Sequence, residues 1–258
     1  MPTDVVADLR ALGMRATTET LGAFLEAATK SRLSPVQTCE RLVEIERCHR
    51  DARNLAARTK AATLGRFKTL DRFDWAHPRS INRDLYTRLL DLDFVEHGHN
   101  VLFRGQAGVG KTMLAQNLGL AALQKGFTVR FATAAAVLAD LLKQESLPAL
   151  ERRLGRYVRA DLLVLDEIGY LPCDSRSADL LYNLISRRHL ERSTIITTNL
   201  AFKQWADVFP GAACVGALVD RFVQHCHVMD IDADSWRQKE SLAAPPPSSR
   251  PRKPKRRS

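Results

Sequence analysis

Cysteine is scarce and scattered. The five in 258 residues are Cys39, Cys48, Cys173, Cys214 and Cys226, an odd number with no CxxC pair. Neither a disulfide framework nor a zinc cluster is therefore expected. His225-Cys226-His227 is the one run of ligand-type residues. Neighbouring side chains diverge on a helix or strand and no second ligand pair lies nearby, so ordinary packing is the expectation there. Long apolar runs are missing too. Nothing approaches the roughly 18 uninterrupted apolar residues of a membrane helix. The first ten residues, MPTDVVADLR, carry acids and no apolar run, unlike a secretory signal. The expected setting is cytoplasmic, with no membrane partner.

The C-terminal stretch has basic residues and no acids. Residues 241–258 hold Arg250, Arg252, Lys253, Lys255, Arg256 and Arg257 without a single acid. Residues 1–74 carry 13 basic and 10 acidic groups against a whole-chain net charge of +10, so residues 75–240 are nearly neutral. Positive ends on a neutral centre suggest a polyanionic partner, most simply nucleic acid.

What is present falls into three regions. Residues 1–70 read as a helical domain, with Ser34-Pro35 as an N-cap followed by an N1 proline. Leu42, Ile45, Cys48 and Leu55 stand at helical spacing, and residues 41–68 carry eight basic groups against three acidic ones. In residues 71–240 a helix is expected over 81–92, after which strands and helices alternate. The strands are expected at 101–104, 128–132, 162–166 and 194–198, and the helices at 112–124, 134–144, 149–158 and 177–190. Such alternation predicts an α/β fold of right-handed βαβ units, a parallel sheet flanked by helices, with ligand at the C-terminal ends of its strands. From residue 241 the basic, proline-rich tail offers nothing to pack and is expected to be disordered.

Three motifs carry chemistry. Gly105-Gln106-Ala107-Gly108-Val109-Gly110-Lys111-Thr112 follows an apolar strand and opens a helix. Glycines there let backbone N–H groups close around phosphate oxygens at a helix N-terminus. Lys111 would reach the β- and γ-phosphates and the Thr112 hydroxyl would meet Mg²⁺, so ATP and Mg²⁺ are the expected cofactors. Second, Leu162-Leu163-Val164-Leu165 delivers Asp166 and Glu167 to the same sheet edge. Asp166 would hold Mg²⁺ and Glu167 would act as general base on water. Third, the run 194–198 ends at Asn199, placed to orient that water. The carboxylate pair favours hydrolysis over small-molecule phosphorylation.

With these motifs, LLVLDEIGYLP, SRRHLERSTIITTNLAFKQW, LVDRF and DSWR, the chain resembles the AAA+ ATPases of the IstB/DnaC type over about residues 10–240. Within that group it is most similar to IstB-type transposition helper ATPases of bacterial insertion sequences, and GRFKTLDRFDW resembles the segment preceding their ATPase core. The resemblance implies an ATPase that assembles with ATP on double-stranded DNA as a homo-oligomer and serves a cognate transposase. The alternative it leaves is a DnaC-type helicase loader. It implies a trans-acting arginine at Arg221, with Arg188 the competing position, and a nucleotide contact from Arg237 in a short C-terminal lid remnant. Three positions depart from the family's pattern: Arg104, Met113, and Asp232-Ala233-Asp234 in place of a glycine-containing turn.

Overall fold

The computed structural model describes residues 4–169, 174–205, 213–236 and 238–239. Three helices lead the chain: α1 (Val5–Ala11), α2 (Thr18–Lys30) and α3 (Pro35–Ala62). The start of α3 is determined locally. The Ser34 hydroxyl accepts from the Gln37 N–H while the Gln37 side chain accepts from the Ser34 N–H, and Pro35 occupies the first turn. That reciprocal capping satisfies two donors a helix start would otherwise leave open. After α4 (Arg83–Leu89) and the single turn α5 (Asp93–Glu96), the chain alternates through β1 (Asn100–Gly105), α6 (Lys111–Lys125), β2 (Val129–Thr133), α7 (Ala134–Leu142) and α8 (Leu147–Val158). It continues through β3 (Leu162–Ile168), α9 (Ser175–Arg188), β4 (Ser193–Thr198), α10 (Val215–Val223) and β5 (Cys226–Ile231).

The strands form one parallel sheet in the order β2-β3-β4-β1-β5. Side chains alternate between its faces as strand geometry requires. Val101, Phe103, Leu162, Val164 and Ile195 join the core beneath α6 and the end of α3, whereas Leu102, Leu163, Leu165 and Ile196 join the core beneath α7, α8, α9 and α10. With both faces covered, β1 and β3 carry the unbroken apolar runs Val101-Leu102-Phe103 and Leu162-Leu163-Val164-Leu165, whereas β4 centres on Ile195-Ile196 between serine and threonines.

Two elements differ from expectation. The helix expected over 81–92 is split, because Leu92 adopts a left-handed conformation (φ 66°) that ends one helix and starts α5. The edge strand β5 was not among the expected strands. Only Met229 and Ile231 of its residues are buried, and His227, Asp230 and the half-exposed Val228 mask the apolar signal. Arg104 belongs to the same edge. It lies in register with Asp230 and donates to both its carboxylate oxygens, at 2.6 and 2.7 Å. A charged residue is tolerated at the end of β1 because its partner sits on the neighbouring edge strand.

Arg188 ends α9 inside the protein, 1% exposed. Its guanidinium donates to the carbonyls of Tyr157, Val158, Ala160 and Ser193 and to the Thr194 hydroxyl, tying α8 and α9 to the entry of β4. Burial pushes its pKa down to about 9, which still leaves it charged at neutral pH. This arginine is a clamp of the core and is not presented to a neighbouring molecule, so the competing position for a trans-acting arginine falls away. Arg188→Ala should strand several buried carbonyls and lower stability by about 3 kcal/mol or more, read from urea unfolding midpoints.

Candidate functional site

At the C-terminal edge of the sheet, β1 gives way to the 105–110 loop and α6 begins at Lys111. Gly110 stands at φ 96°, and a Cβ there would come within 2.7 Å of the Phe73 ring. Gly108 stands at φ 82°, with its missing Cβ directed at the Ser235 side chain. Both positions combine left-handed backbone with close approach, a pairing that only glycine satisfies. Lys111, 8% exposed, folds over the loop and donates to the carbonyls of Gly105 and Gln106 at 2.8 and 2.7 Å.

At the second residue of α6, the Thr112 hydroxyl lies 2.9 and 3.1 Å from the two carboxylate oxygens of Asp166. Asp166 is 4% exposed at the end of β3 and also accepts from the Thr197 hydroxyl of β4 at 2.5 Å. Hydroxyl and carboxylate oxygens are hard donors of the kind Mg²⁺ selects, so this pair fits that ion. Glu167 follows on an irregular stretch of β3 at φ 61°, a conformation that costs a non-glycine residue roughly 1–3 kcal/mol. Its side chain is exposed and faces a cavity of about 350 Å³.

That cavity gathers the phosphate loop from Ala107 to Thr112 together with Met113, Glu167, Thr197 and Thr198. Its far wall comes from residues 66–77, chiefly Phe67, Phe73 and His77, and from Trp236. The wall is held in place by edge contacts: Phe73 meets Trp75 at 4.8 Å and His77 meets Trp236 at 4.8 Å between ring centres. The Trp236 N–H donates to the Gly108 carbonyl at 3.1 Å, and His77 Nε2 donates to the Asp234 carbonyl at 2.9 Å. Arg79 pairs with both Asp232 and Asp234, and its hydrogen bond holds the Asp232 carboxyl below the usual range. Asp232-Ala233-Asp234 thus uses charge pairing and a two-way backbone bridge between Ser80 and Asp232 to bring the chain back over the phosphate loop.

The structure therefore brings Gly105 through Thr112, Asp166 and Glu167 together. Asn199 lies just past β4, exposed, beside Gly169 and outside the cavity lining. Arg221, on α10, donates to the Tyr182 hydroxyl and stacks on that ring at 4.8 Å, away from its own cavity. Arg237 and the basic tail lie outside the described residues. The aromatic wall and Thr197 carried no role in the sequence reading. The signal for the wall was the Phe67, Phe73 and Trp75 spacing in the segment before β1; Thr197 had none beyond its place in a polar strand end.

The family model described as IstB-like ATP binding protein matches residues 7–244. The chain belongs to this family. It is 34% identical over 239 residues to the IS232 insertion-sequence ATP-binding protein of Bacillus thuringiensis subsp. berliner, covering 93% of this chain and 96% of that relative. It is 36% identical to the IS21 insertion-sequence ATP-binding protein of Pseudomonas aeruginosa, over 86% of this chain and 84% of the relative. Among solved structures, DnaI matches with a TM-score of 0.54 at 17% identity, over 63% of this chain and 90% of that one. The DnaC helicase loader matches at 0.50 and 23%, over 62% and 96%. These likenesses show a fold shared with DnaI and the DnaC helicase loader. Among the described residues, no helix is long and apolar enough to cross a membrane.

For this IstB-like chain, Gly110→Ala should push a methyl group against Phe73 in a strained backbone. ATP affinity should fall by about tenfold or more in a fluorescence titration, with the far-ultraviolet circular dichroism unchanged.

Proposed function

We propose that this protein hydrolyses ATP and acts as a DNA-binding helper of an insertion-sequence transposase. The observation that carries the reading is the convergence of a phosphate loop, a buried carboxylate bonded to that loop's hydroxyl, and an adjacent exposed carboxylate in one cavity. The backbone of residues 105–112 cradles the phosphates, with Lys111 turning from the loop carbonyls to the β- and γ-phosphates. Thr112 and Asp166 hold Mg²⁺, which supplies charge neutralisation on the phosphate oxygens. Glu167 takes the proton of the attacking water, and Asn199 at the strand end orients that water. The aromatic wall built from Phe73, His77 and Trp236 receives the base.

Arg221 does not reach its own cavity, which suits a role toward a neighbour's nucleotide. In that role it compensates charge in the transition state within an ATP-dependent homo-oligomer. The family resemblance adds Arg237 as a further nucleotide-binding residue. The family match supports an insertion-sequence context, and the positive ends of the chain support a double-stranded DNA partner through phosphate contacts. On this reading, residues 1–70 form an assembly and DNA-contact domain, 71–240 the ATPase and 241–258 a basic tail, all acting in the cytoplasm. A helicase-loader role has only fold likeness behind it.

Glu167→Gln should lower ATP turnover by at least about 100-fold while ATP binding and DNA binding persist; normal hydrolysis by this variant would remove Glu167 from the base role. Duplex DNA affinity, followed by anisotropy, should fall on the order of a thousandfold between about 50 and about 200 mM salt. Affinity that ignores salt would count against a phosphate-contact mode. Co-purification with a transposase of an insertion sequence, and not with a replicative helicase, tests the partner.

A further inference from the structure

Thr197 occupies the one position of β4 that stands opposite both acidic residues of β3. The register pairs Leu165 with Ile196 and next Ile168 with Thr198, so Asp166 and Glu167 together face Thr197 alone. Two residues opposing one is a bulge, a device that re-aims side chains and concentrates beside active sites. Thr197 is fully buried. Its hydroxyl donates to Asp166 Oδ1 at 2.5 Å and accepts from the Glu167 N–H at 2.9 Å. A hydroxyl has one proton to give, so the two bonds together dictate its rotor: the proton goes to Asp166 and a lone pair faces Glu167. Valine would fill the same space and suit a strand equally well, but would leave the Glu167 N–H open and Asp166 with one donor fewer.

We propose that Thr197 is a positioning residue for the reaction in this cavity, orienting Asp166 toward Thr112 and pinning the Glu167 peptide in the left-handed turn that faces its carboxylate into the cavity. The inference rests on the hydrolysis reading of that cavity and deepens it. Thr197 acts through the two carboxylates, leaving water orientation to Asn199. The two effects separate by chemistry, since Asp166 governs metal-dependent nucleotide binding and Glu167 governs turnover.

The test compares Thr197→Val and Thr197→Ser in the full chain. Calorimetric titration of a non-hydrolysable ATP analogue, with and without Mn²⁺, reads Asp166. Thr197→Val should keep the metal-free affinity and lose about tenfold of the gain that the metal brings, the size of effect expected for a group orienting a metal ligand. Steady-state hydrolysis reads Glu167. Here kcat should fall by about 30-fold with KM changed by less than about threefold. Thr197→Ser, which retains the hydroxyl, should recover most of both losses. Thr197→Ala replaces the valine variant if that one fails to fold.

A metal-dependent gain equal to wild type in the hydroxyl-free variant overturns the proposal, as does a serine variant no better than valine. If the wild-type protein itself does not hydrolyse ATP, the hydrolysis reading fails, and the metal-dependent affinities of the same variants still decide the role of Thr197.

Discussion

A carboxylate nearly out of contact with water holds this site together. Asp166 ends a strand whose four preceding residues are completely buried, and a charge in such a place is tolerable only when donors surround it. Two hydroxyls do so: Thr112 from α6 and Thr197 from β4. Each lies in a different element, so the carboxylate ties the helix that starts at the phosphate loop to two central strands. Displacing either α6 or β4 would leave the buried carboxylate one donor short, at a cost of about 1–3 kcal/mol or more.

The strand order follows the same logic. With β1 between β4 and β5, and β4 between β1 and β3, the loop after β1 and the acids near the end of β3 flank the end of β4. Parallel strands put all those ends on one edge, where α6 also presents its N-terminal N–H groups. The third side is closed by the segment before β1 and the segment after β5. They are distant in sequence, yet joined by the Ser80–Asp232 bridge, the Arg79 ion pairs and the His77–Trp236 contact. Those pairs are exposed and contribute little stability individually. Their effect is geometric, holding an aromatic wall opposite the phosphate loop.

Long-chain arginines illustrate how position decides role. Arg104, Arg188 and Arg221 all interrupt apolar surroundings. Arg104 answers Asp230 across an edge, Arg188 gathers main-chain carbonyls inside the core, and Arg221 rests on an aromatic ring outside its own cavity. Arg188 alone of the three is enclosed, whereas Arg104 and Arg221 are partly exposed.

Local chemistry alone determined a good deal. Backbone conformations that demand glycine, a strand feeding a helix, and an apolar run ending in two acids are written within short windows. For that reason the 105–112 loop, Asp166, Glu167, the βαβ alternation and the capped start of α3 were legible from the residues. What tertiary structure decided lies in contacts between distant segments. β5 interrupts its apolar residues with His227 and Asp230 because it is half-covered at an edge, and Leu92 breaks a helix by a backbone turn that its side chain does not announce. The aromatic wall needs Phe73 and Trp236 brought together across more than half the chain. The place of Thr197 depends on a bulge that sets two residues of β3 against one of β4, and such register exists only once the strands have paired.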